Sequence, residues 1–520
     1  MKWPIKWPVR SIQLRFNSKS VQNMFSEKDK LQIESRGSEL SNVEKQIEDF
    51  RSGFPFLDIQ KAASIGDGIF QYAEEQIKGL ADSYSEKISG KEVLKFVPAS
   101  GAATRMFKDL FAFLDDNDFQ GNKAAQTFIH GLKNFAFANE LNEALDGNTE
   151  DLVEQEDYSS VVRQLLESPG LGYGNLPKGL LSFHKYENGS RTPFEEHLVE
   201  GANYARDSNG NVKIHYTVSP EHQQKFEELL NQVRPIYESL FNVTYDISFS
   251  QQKKATDTIA VDLDNAPFRE EDGALLFRPA GHGALLENLN DLDADLIYIK
   301  NIDNVAPDRL KDDTFNYKKA LGATLLHLQS KNFENLRNLD NGSNPDDAAA
   351  FCTNYLGIDL GDGFSELNTE EKKSLVRKKL NRPMRVCGMV KNTGEPGGGP
   401  FWVKGSDGAL SLQIAETAQI DLENEDKASM LQSSSHFNPV DLVCGIKDYQ
   451  GGKFDLLKYR DDNTGFVSLK SKNGKDLKAM ELPGLWNGAM ANWITIFVEV
   501  PVSTFSPVKT VNDLLKDVHQ

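Results

Sequence analysis

The chain has 520 residues, of which 39% are hydrophobic, and its 58 basic and 77 acidic residues give a net charge of −19. A field of that sign repels nucleic acids and anionic membranes, so it excludes the function classes that bind either surface. A small anionic substrate requires a local cluster of Lys, Arg or metal that reverses the sign.

The cysteines indicate the compartment in which the protein works. Cys352, Cys387 and Cys444 are widely separated and form neither a disulfide framework nor a zinc-binding spacing. They therefore predict a reducing compartment, and we expect a cytoplasmic protein. No apolar run approaches membrane-spanning length, so we expect no membrane partner.

The first part of the chain predicts a helical region. Residues 1–23 carry basic side chains and no acid, lack the apolar core of a secretory signal, and are expected to be disordered or a mis-assigned start. Beyond them, Val43 and Ile47 belong to a series of apolar residues at three- and four-residue spacing, which is typical of an amphipathic helix. We therefore assign residues 24–90 to a helical N-terminal region.

The middle of the chain, residues 91–380, predicts an α/β core. Strand-like runs at residues 93–97, 212–218 and 296–299 alternate with helical patterns, and this alternation is typical of a mainly parallel sheet. Phenylalanine-rich apolar faces at residues 106–170 predict a helical insertion. The sequence thus predicts one elaborated α/β core.

The last part of the chain, residues 381–520, predicts a β-rich region that completes the functional site. Short strand-like runs follow one another there, and no internal repeat is present. The boundaries are soft, so one large domain fits the pattern as well as two. A Gly-rich loop at residues 397–399 either wraps a ligand or bends a hairpin.

The turn after the first core strand has the sequence Pro-Ala-Ser-Gly-Ala-Ala-Thr-Arg-Met-Phe-Lys, residues 98–108. A strand, a small-residue turn and a helix present backbone N–H groups and a positive helix end to an anion. Alanine and serine replace most of the glycines of a phosphate loop. The turn therefore either holds a phosphate or is only a tight corner.

Four stretches, in chain order, resemble the UDP-sugar pyrophosphorylase family, which joins a sugar 1-phosphate to UTP and includes UDP-glucose and UDP-N-acetylglucosamine pyrophosphorylases. In the first, Ser-Gly-Ala-Ala-Thr-Arg at residues 100–105 stands where the family has Gly-Gly-x-Gly-Thr-Arg. The resemblance implies a catalytic role for Arg105. The nucleotide-binding candidates that it implies here are Ser100, Gly101, Ala102 and Thr104.

Two further stretches supply candidate catalytic lysines. Leu-Pro-Lys-Gly-Leu-Leu at residues 176–181 is similar to the family's Pro-Lys-Gly segment, and Pro-Val-Lys-Thr at residues 507–510 is similar to its C-terminal stretch. In the family both lysines meet phosphates, so the resemblance implies catalytic roles for Lys178 and Lys509. The residues between the first and second stretches imply a helical subdomain inserted over the site.

The remaining stretch supplies candidates for base and metal binding. Pro-Ala-Gly-His-Gly, residues 279–283, and the strand that ends in Asp303-Asn304 resemble the family's Pro-Pro-Gly-His-Gly turn and its Asp-Asn strand end. The resemblance implies that Asp303 binds Mg²⁺ carried in by the nucleotide. The base-contacting candidates are Gln251, Gly281, His282 and Gly283. The sugar-binding candidates are Asn304, from the same strand end, and Glu416 and Asn438, from weaker matches to the family at residues 413–420 and 436–439.

The chemistry of nucleotidyl transfer gives these residues a common task. The sugar phosphate oxygen attacks the α-phosphorus in line and pyrophosphate leaves, so catalysis is mainly positioning and charge neutralisation. Each close pair of negative charges costs about 4 kcal/mol at a surface-like dielectric. Arg105, Lys178, Lys509 and a Mg²⁺ on Asp303 would supply the opposing sign.

Structural explanations of the same residues remain open. Taken alone, Arg105 is a surface arginine and Lys178 a solvated loop lysine. His282 between two glycines shapes a turn, contacts a base or donates a hydrogen bond. Asp303 and Asn304 cap the turn that follows their strand, or bind metal.

The resemblance implies a glycosyltransferase-A-like, Rossmann-like nucleotidyltransferase sheet and a divergent bacterial branch of the family. The expected function is Mg²⁺-dependent transfer from UTP, or another nucleoside triphosphate, to a sugar 1-phosphate. The alternative is a non-catalytic relative that binds a nucleotide sugar. A glycosyltransferase ranks last, because Asp293-Ala294-Asp295 precedes its apolar strand instead of ending it. The sequence specifies neither the sugar nor the oligomeric state.

Overall fold

The computed structural model describes residues 24–101, 103–145, 148–394 and 397–520. The expectation for residues 1–23 and the candidate Ala102 lie outside the described residues. The chain forms two compact units. Unit 1 comprises the described part of Met1–Phe54 with Lys254–Ala280 and Val467–Glu481, and unit 2 comprises Pro55–Lys253, Gly281–Phe466 and Leu482–Gln520.

The described residues contain helices throughout both units. The helices are α1 Glu27–Ser35, α2 Leu40–Ser52, α3 Glu74–Lys87, α4 Lys108–Asp116, α5 Lys123–His130, α6 Ala138–Ala144, α7 Thr149–Glu154, α8 Tyr158–Leu166, α9 Pro193–Tyr204, α10 Gln223–Phe241, α11 Leu285–Asp291, α12 Lys311–Asp340, α13 Pro345–Leu356, α14 Thr369–Leu380 and α15 Glu425–Gln432. None of these described helices combines the length and the apolarity that crossing a membrane requires.

The strands of the described residues alternate with these helices along the chain. They are β1 Ile59–Ala62, β2 Ser64–Ile65, β3 Gly68–Phe70, β4 Val93–Pro98, β5 His184–Tyr186, β6 Gly189–Arg191, β7 Asn211–Thr217, β8 Thr244–Ser250, β9 Thr258–Ile259, β10 Phe277–Arg278, β11 Leu296–Lys300, β12 Met384–Lys391, β13 Gly399–Lys404, β14 Leu410–Ala415, β15 His436–Phe437, β16 Asp441–Gly445, β17 Phe466–Lys472, β18 Lys475–Glu481 and β19 Ile494–Glu499.

Unit 2 is built on a mixed sheet with the strand order β2-β3-β19-β12-β16-β11-β4-β7-β8, and β15 pairs with β12. Neighbouring strands are parallel except at β16, which runs antiparallel to both β12 and β11, and at β15. All five residues of β11 are buried, as the covered faces of a parallel sheet require. The predicted α/β class with a mainly parallel sheet is confirmed.

The predicted helical insertion is confirmed as α4 to α8, between β4 and β7. Its phenylalanines are core residues, because Phe107, Phe128 and Phe135 are fully buried in one apolar cluster. The expectation of helices throughout residues 24–90 needs one correction, since β1, β2 and β3 occupy residues 59–70 between α2 and α3. β1 is stabilised by antiparallel pairing with β13, a partner distant in sequence.

Unit 1 has its own apolar core. Ile33 of α1 and Ile47 of α2 pack in one cluster with Ile259, Leu275 and Met480. The start of α1 is fixed by a capping box between Ser26 and Asp29. Three distant chain segments therefore share one core, and the boundaries predicted from sequence stay a prediction.

Candidate active site at the carboxyl edge of the central sheet

The candidate residues of unit 2 come from segments that meet at one edge of the sheet. The turn at residues 100–105 follows β4, Gln251 follows β8, Asp303 and Asn304 follow β11, and Lys509 lies beyond β19. These strands are parallel, so their carboxyl ends face the same edge. Asn438 joins them from the amino end of the antiparallel β16.

The turn after β4 is exposed and is joined to the second motif. The backbone N–H of Lys178 donates to the carbonyl of Gly101 at 3.4 Å, and that of Ala103 donates to Leu176 at 3.1 Å. Ser100, Gly101, Thr104 and Arg105 are exposed. The sequence predicts that the turn leads directly into a helix. In the structure, residues 103–105 form a 3₁₀ turn and α4 begins only at Lys108.

An ion pair joins the second motif to the end of β11. The Nζ atom of Lys178 lies 2.6 Å from Oδ2 of Asp303, and it also donates to the carbonyl of Val508 at 2.6 Å. The two side chains are 16% and 21% exposed, so the pair sits at the site surface and both groups remain accessible to a ligand. The lysine and the aspartate thus hold each other in place.

The end of β11 is also joined to the fourth motif. The N–H of Val508 donates to the carbonyl of Asp303 at 3.2 Å, and Asn304 forms an isolated β-bridge with Pro507. The Oδ1 atom of the buried Asn304 accepts the N–H of Ser506 at 2.8 Å. Asn304 therefore positions the segment that carries Lys509.

A cavity of about 410 Å³ lies at this edge. Its lining includes five candidates from the sequence, namely Asp303, Asn304, Glu416, Asn438 and Lys509. Gly397 and Gly398 also line it, so the Gly-rich loop borders the cavity. The order in the chain gives no hint of this grouping, which the strand ends and the β13–β14 hairpin create.

Two amide groups of the cavity wall are donors without a partner. Asn304 and Asn438 are both buried, and the Nδ2 atom of each has no hydrogen-bond partner among the described residues. Each amide orientation is fixed, since Oδ1 of Asn438 accepts the N–H of Val440 at 3.1 Å and Oδ1 of Asn304 accepts Ser506. Buried amides normally have partners, so these N–H groups suit acceptor oxygens of a ligand.

His282 is fixed on three sides. Its ring stacks on Trp486 with a centroid separation of 4.1 Å and an interplanar angle of 8°. The N–H of Leu485 donates to its Nδ1 at 2.9 Å, so in the neutral ring Nε2 carries the proton. That Nε2 lies 3.7 Å from Oε1 of Glu416. The imidazole is therefore held with its Nε2 close to the carboxylate of Glu416.

Glu416 connects His282 to the cavity. Its Oε1 also accepts from Nδ2 of Asn487 at 2.5 Å. His282 lowers the pKa of Glu416, and Asn487 lowers it further, whereas burial acts in the opposite direction.

The turn that carries His282 depends on its two glycines. Gly281 takes a positive φ of 75°, and a Cβ on Gly283 would collide with the carbonyl of Pro483. The two glycines thus let this turn approach residues 482–487 closely.

The donor set fits only a metal that brings its own ligands. No group of three or more His, Cys, Asp or Glu side chains in the described residues is arranged to hold a metal ion. Asp303 provides a single accessible carboxylate, paired with Lys178. Magnesium bound through one carboxylate, phosphate oxygens and water matches that set, whereas a permanent structural metal does not.

A buried ionic cluster supports the site from beneath. Both oxygens of Glu200 on α9 are engaged, one by Lys95 of β4 at 2.8 Å and the other by Lys300 of β11 at 2.6 Å. His197, one turn earlier on α9, directs Nε2 at the carbonyls of Asn301 and Ile302 at 3.2 Å each. The helix thereby fixes the backbone just before Asp303.

Some residues of this site escape sequence reasoning, and some candidates lie apart from the cavity. Trp486, Asn487 and Glu200 carry no motif signal, and only their contacts reveal them. Gln251 is exposed, bonds to Gln223 at 3.1 Å and does not line the cavity. The glycosyltransferase alternative loses support, because Asp293 and Asp295 lie at the amino end of β11 and pair with Lys447 at 3.1 and 3.2 Å.

The chain belongs to the family described as "Domain of unknown function (DUF4301)", whose profile matches residues 26–520. No curated protein matches the chain. Among solved structures it is similar to UDP-glucose pyrophosphorylase from Leishmania major, with 13% identity, a TM-score of 0.45 and coverage of 96% of this chain and 79% of that chain.

Two structures from Trypanosoma brucei are also similar. The uridine diphosphate N-acetylglucosamine pyrophosphorylase, solved in complex with an inhibitor, is 11% identical with a TM-score of 0.48, covering 95% of this chain and 80% of that chain. A protein described as UDP-glucose phosphorylase is 14% identical with a TM-score of 0.44, covering 93% of this chain and 76% of that chain.

Proposed function

We propose that this protein is a Mg²⁺-dependent nucleotidyltransferase that joins a sugar 1-phosphate to UTP and releases pyrophosphate. One observation supports the proposal above all. Motif stretches far apart in the chain are joined at one sheet edge through the Lys178–Asp303 ion pair and the Asp303–Val508 hydrogen bond. The cavity beside them is lined by Asn304 and Lys509 from these stretches and by the further candidates Glu416 and Asn438.

Each residue has a task in this reaction. Lys178 is paired with Asp303 and Lys509 lines the same cavity as Asp303, so both can neutralise phosphate charge as the α-phosphorus is attacked. Arg105, which makes no ion pair with the described residues, supplies a planar guanidinium for a phosphate from the exposed turn. Mg²⁺ bound at Asp303 would screen the phosphate oxygens from one another.

The other wall of the cavity suits the sugar. Asn304 and Asn438 offer buried amide N–H groups, and Glu416 offers a carboxylate held in its ionised form by His282. Hydroxyl groups can accept from the amides and donate to the carboxylate, so one sugar ring can satisfy all three. The uracil would lie near the turn at Gly281, His282 and Gly283.

The second candidate function is a non-catalytic protein that binds a nucleotide sugar. The specific observation in its favour is the altered turn, in which a 3₁₀ turn at Ala103–Arg105 precedes the start of α4 at Lys108. A phosphate there gains less from the helix end. The cavity and its amide donors would serve such a binding protein equally well.

Ligand-induced stabilisation and product formation together separate the two functions. UTP, UDP-glucose, UDP-N-acetylglucosamine and GTP, each with Mg²⁺, are tested for thermal stabilisation; a ligand at 100 times its Kd adds about 2.7 kcal/mol. UTP is then incubated with sugar 1-phosphates, and UDP-sugar and pyrophosphate are measured. Both products establish the enzyme, stabilisation without products indicates the binding protein, and no stabilisation by any uridine nucleotide contradicts both.

We also propose a cytoplasmic location. The three cysteines are free and buried within the described residues. Burial raises the pKa of Cys387 to about 11 and that of Cys352 to about 12, so both thiols stay protonated and unreactive. Such cysteines suit a reducing compartment in which UTP and sugar phosphates are present.

A further inference from the structure

A second cavity in unit 2, of about 530 Å³, lies away from the candidate active site. It is bordered by Arg382 just before β12, by Ile494 at the start of β19 and by the turn of the β13–β14 hairpin. β12 and β19 are parallel, so this is the amino edge of the sheet. None of the candidate active-site residues that the structure describes lines this cavity.

The charged side chains that line this cavity are mostly basic, although the chain as a whole is acidic. Its lining contains the basic residues Lys378, Lys379, Arg382, Lys404 and Arg460 and the acidic residues Asp58, Asp407 and Asp461. Lys379 pairs with Asp407 at 3.0 Å, Asp58 with Lys427 at 2.7 Å, and Arg460 with Asp462 at 2.5 Å. Among the described residues, Lys378, Arg382 and Lys404 have no carboxylate partner within 4.0 Å.

Arg382 is held in position without a carboxylate partner within 4.0 Å, although the charge of Asp407 attracts it. Its Nε donates to the carbonyl of Lys378 at 2.9 Å, in the last turn of α14, and the other two guanidinium nitrogens make no hydrogen bond to the described residues. The side chain is partly buried, and this burial lowers its pKa. Partial removal of the guanidinium from water costs free energy that Asp407, itself paired with Lys379, does not fully offset, and a bound anion would offset it further.

A buried indole adds a donor to the same wall. Trp493 is 4% exposed and lines the cavity, and its Nε1 has no hydrogen-bond partner among the described residues. Buried indole N–H groups usually find an acceptor. Thr495 beside it already accepts from Nε of Arg385 at 2.9 Å. The indole N–H of Trp493 is therefore a donor that a ligand's acceptor could satisfy.

We infer that this cavity binds a small organic oxyanion, a phosphate- or carboxylate-bearing metabolite. The anionic group would meet Arg382, Lys378 and Lys404, and the organic part would lie against Leu356, Ile358 and Trp493. The volume falls within the range of about 300–1,000 Å³ that small-molecule sites occupy. This inference is independent of the proposed function, since it concerns a different cavity.

Calorimetric titration in a background that disables the candidate active site tests the inference. The background carries Arg105→Ala and Lys509→Gln, and the probes are inorganic phosphate, glycerol 3-phosphate and citrate. We expect one binding event to persist in the background with at least one probe. Adding Lys378→Gln and Lys404→Gln, both at exposed positions, should weaken it about tenfold or more, because each lysine provides a charge-assisted hydrogen bond.

The controls separate the sources of the signal. Lys475→Gln, at an exposed lysine of unit 1, should leave the affinity unchanged. Tighter binding of glycerol 3-phosphate than of citrate indicates a phosphate monoester, and the reverse order indicates a polycarboxylate. Absence of binding in the background, or binding that the two cavity lysines do not affect, would overturn the inference.

Discussion

Arg105 tests whether the altered turn still binds phosphate. The side chain is exposed and makes no hydrogen bond or ion pair to the described residues, so its substitution should cost little folding stability. Arg105→Lys keeps the charge and loses the planar fork. We expect turnover to fall about 10³-fold, the scale seen for key arginines in phosphoryl transfer, and the unfolding free energy to change by less than about 0.5 kcal/mol.

Steady-state kinetics and urea unfolding measure the two quantities. Arg163→Lys is the matched control, because Arg163 is also exposed and lies in the helical insertion, paired only with Glu167. Full activity in Arg105→Lys would mean that the turn only changes the direction of the chain and that the fork of Arg105 does not bind phosphate.

Glu416 contributes to the free energy of unfolding in a pH-dependent way. Because His282 lowers its pKa below the usual 4.5, the folded state stabilises the ionised form. The contribution is fully present above the unfolded pKa and is lost as pH falls through the folded pKa. We expect Glu416→Gln to be less stable than wild type at pH 7, with the difference shrinking below about pH 4.5. Urea unfolding between pH 3 and 7 measures it, and a difference independent of pH contradicts the assignment.

At the scale of elements, α9 packs against the two strands that lead to the site and stabilises them through buried ion pairs. Glu200 bonds the lysines of two adjacent strands, β4 and β11, in a fully buried environment. Glu200→Gln removes the negative charge and leaves both lysines without it. Breaking a buried ionic contact leaves the remaining buried charges uncompensated, so we expect a loss of about 3–5 kcal/mol in unfolding free energy.

The control for Glu200 is a surface pair. Lys78 and Asp82 on α3 are 2.7 Å apart and 76% and 66% exposed, so Asp82→Asn should change stability by less than about 1 kcal/mol. Denaturant unfolding of both variants provides the comparison. Equal effects of the two substitutions would show that the buried cluster contributes no more than an exposed pair.

The same elements show what the sequence could predict. The apolar runs of β4 and β11 indicated buried parallel strands, and the motif after β11 indicated Asp303. The burial of Lys95 and Lys300 could not be predicted, because charged residues are rarely buried unless paired. Their partner Glu200 lies 105 and 100 positions away from them, on a helix that carries none of the motifs. The stacking of His282 on Trp486 likewise depends on the chain returning to this edge.

On the scale of the whole molecule, basic side chains are concentrated at two places although the chain as a whole is acidic. The chain carries −19, yet Arg105, Lys178 and Lys509 gather at one edge of the sheet and Lys378, Arg382 and Lys404 at the other. At physiological ionic strength, charges beyond about 8 Å are largely screened, so these local cations determine what binds. We expect the acidic remainder to repel nucleic acids and other polyanions.

Unit 1 gives a prediction for the whole chain, because its core joins segments that are hundreds of residues apart in sequence. Ile47 is fully buried among Ile259, Leu275 and Met480. Ile47→Ala removes buried methylene groups and leaves a cavity, at a cost of about 2–5 kcal/mol. If one cooperative core holds the three segments, amide hydrogen exchange should accelerate in all of them together. Ile214→Ala, in the core of unit 2, is the matched control and should leave those segments protected. Faster exchange confined to the segment around Ile47 would show that the three segments do not unfold as one unit.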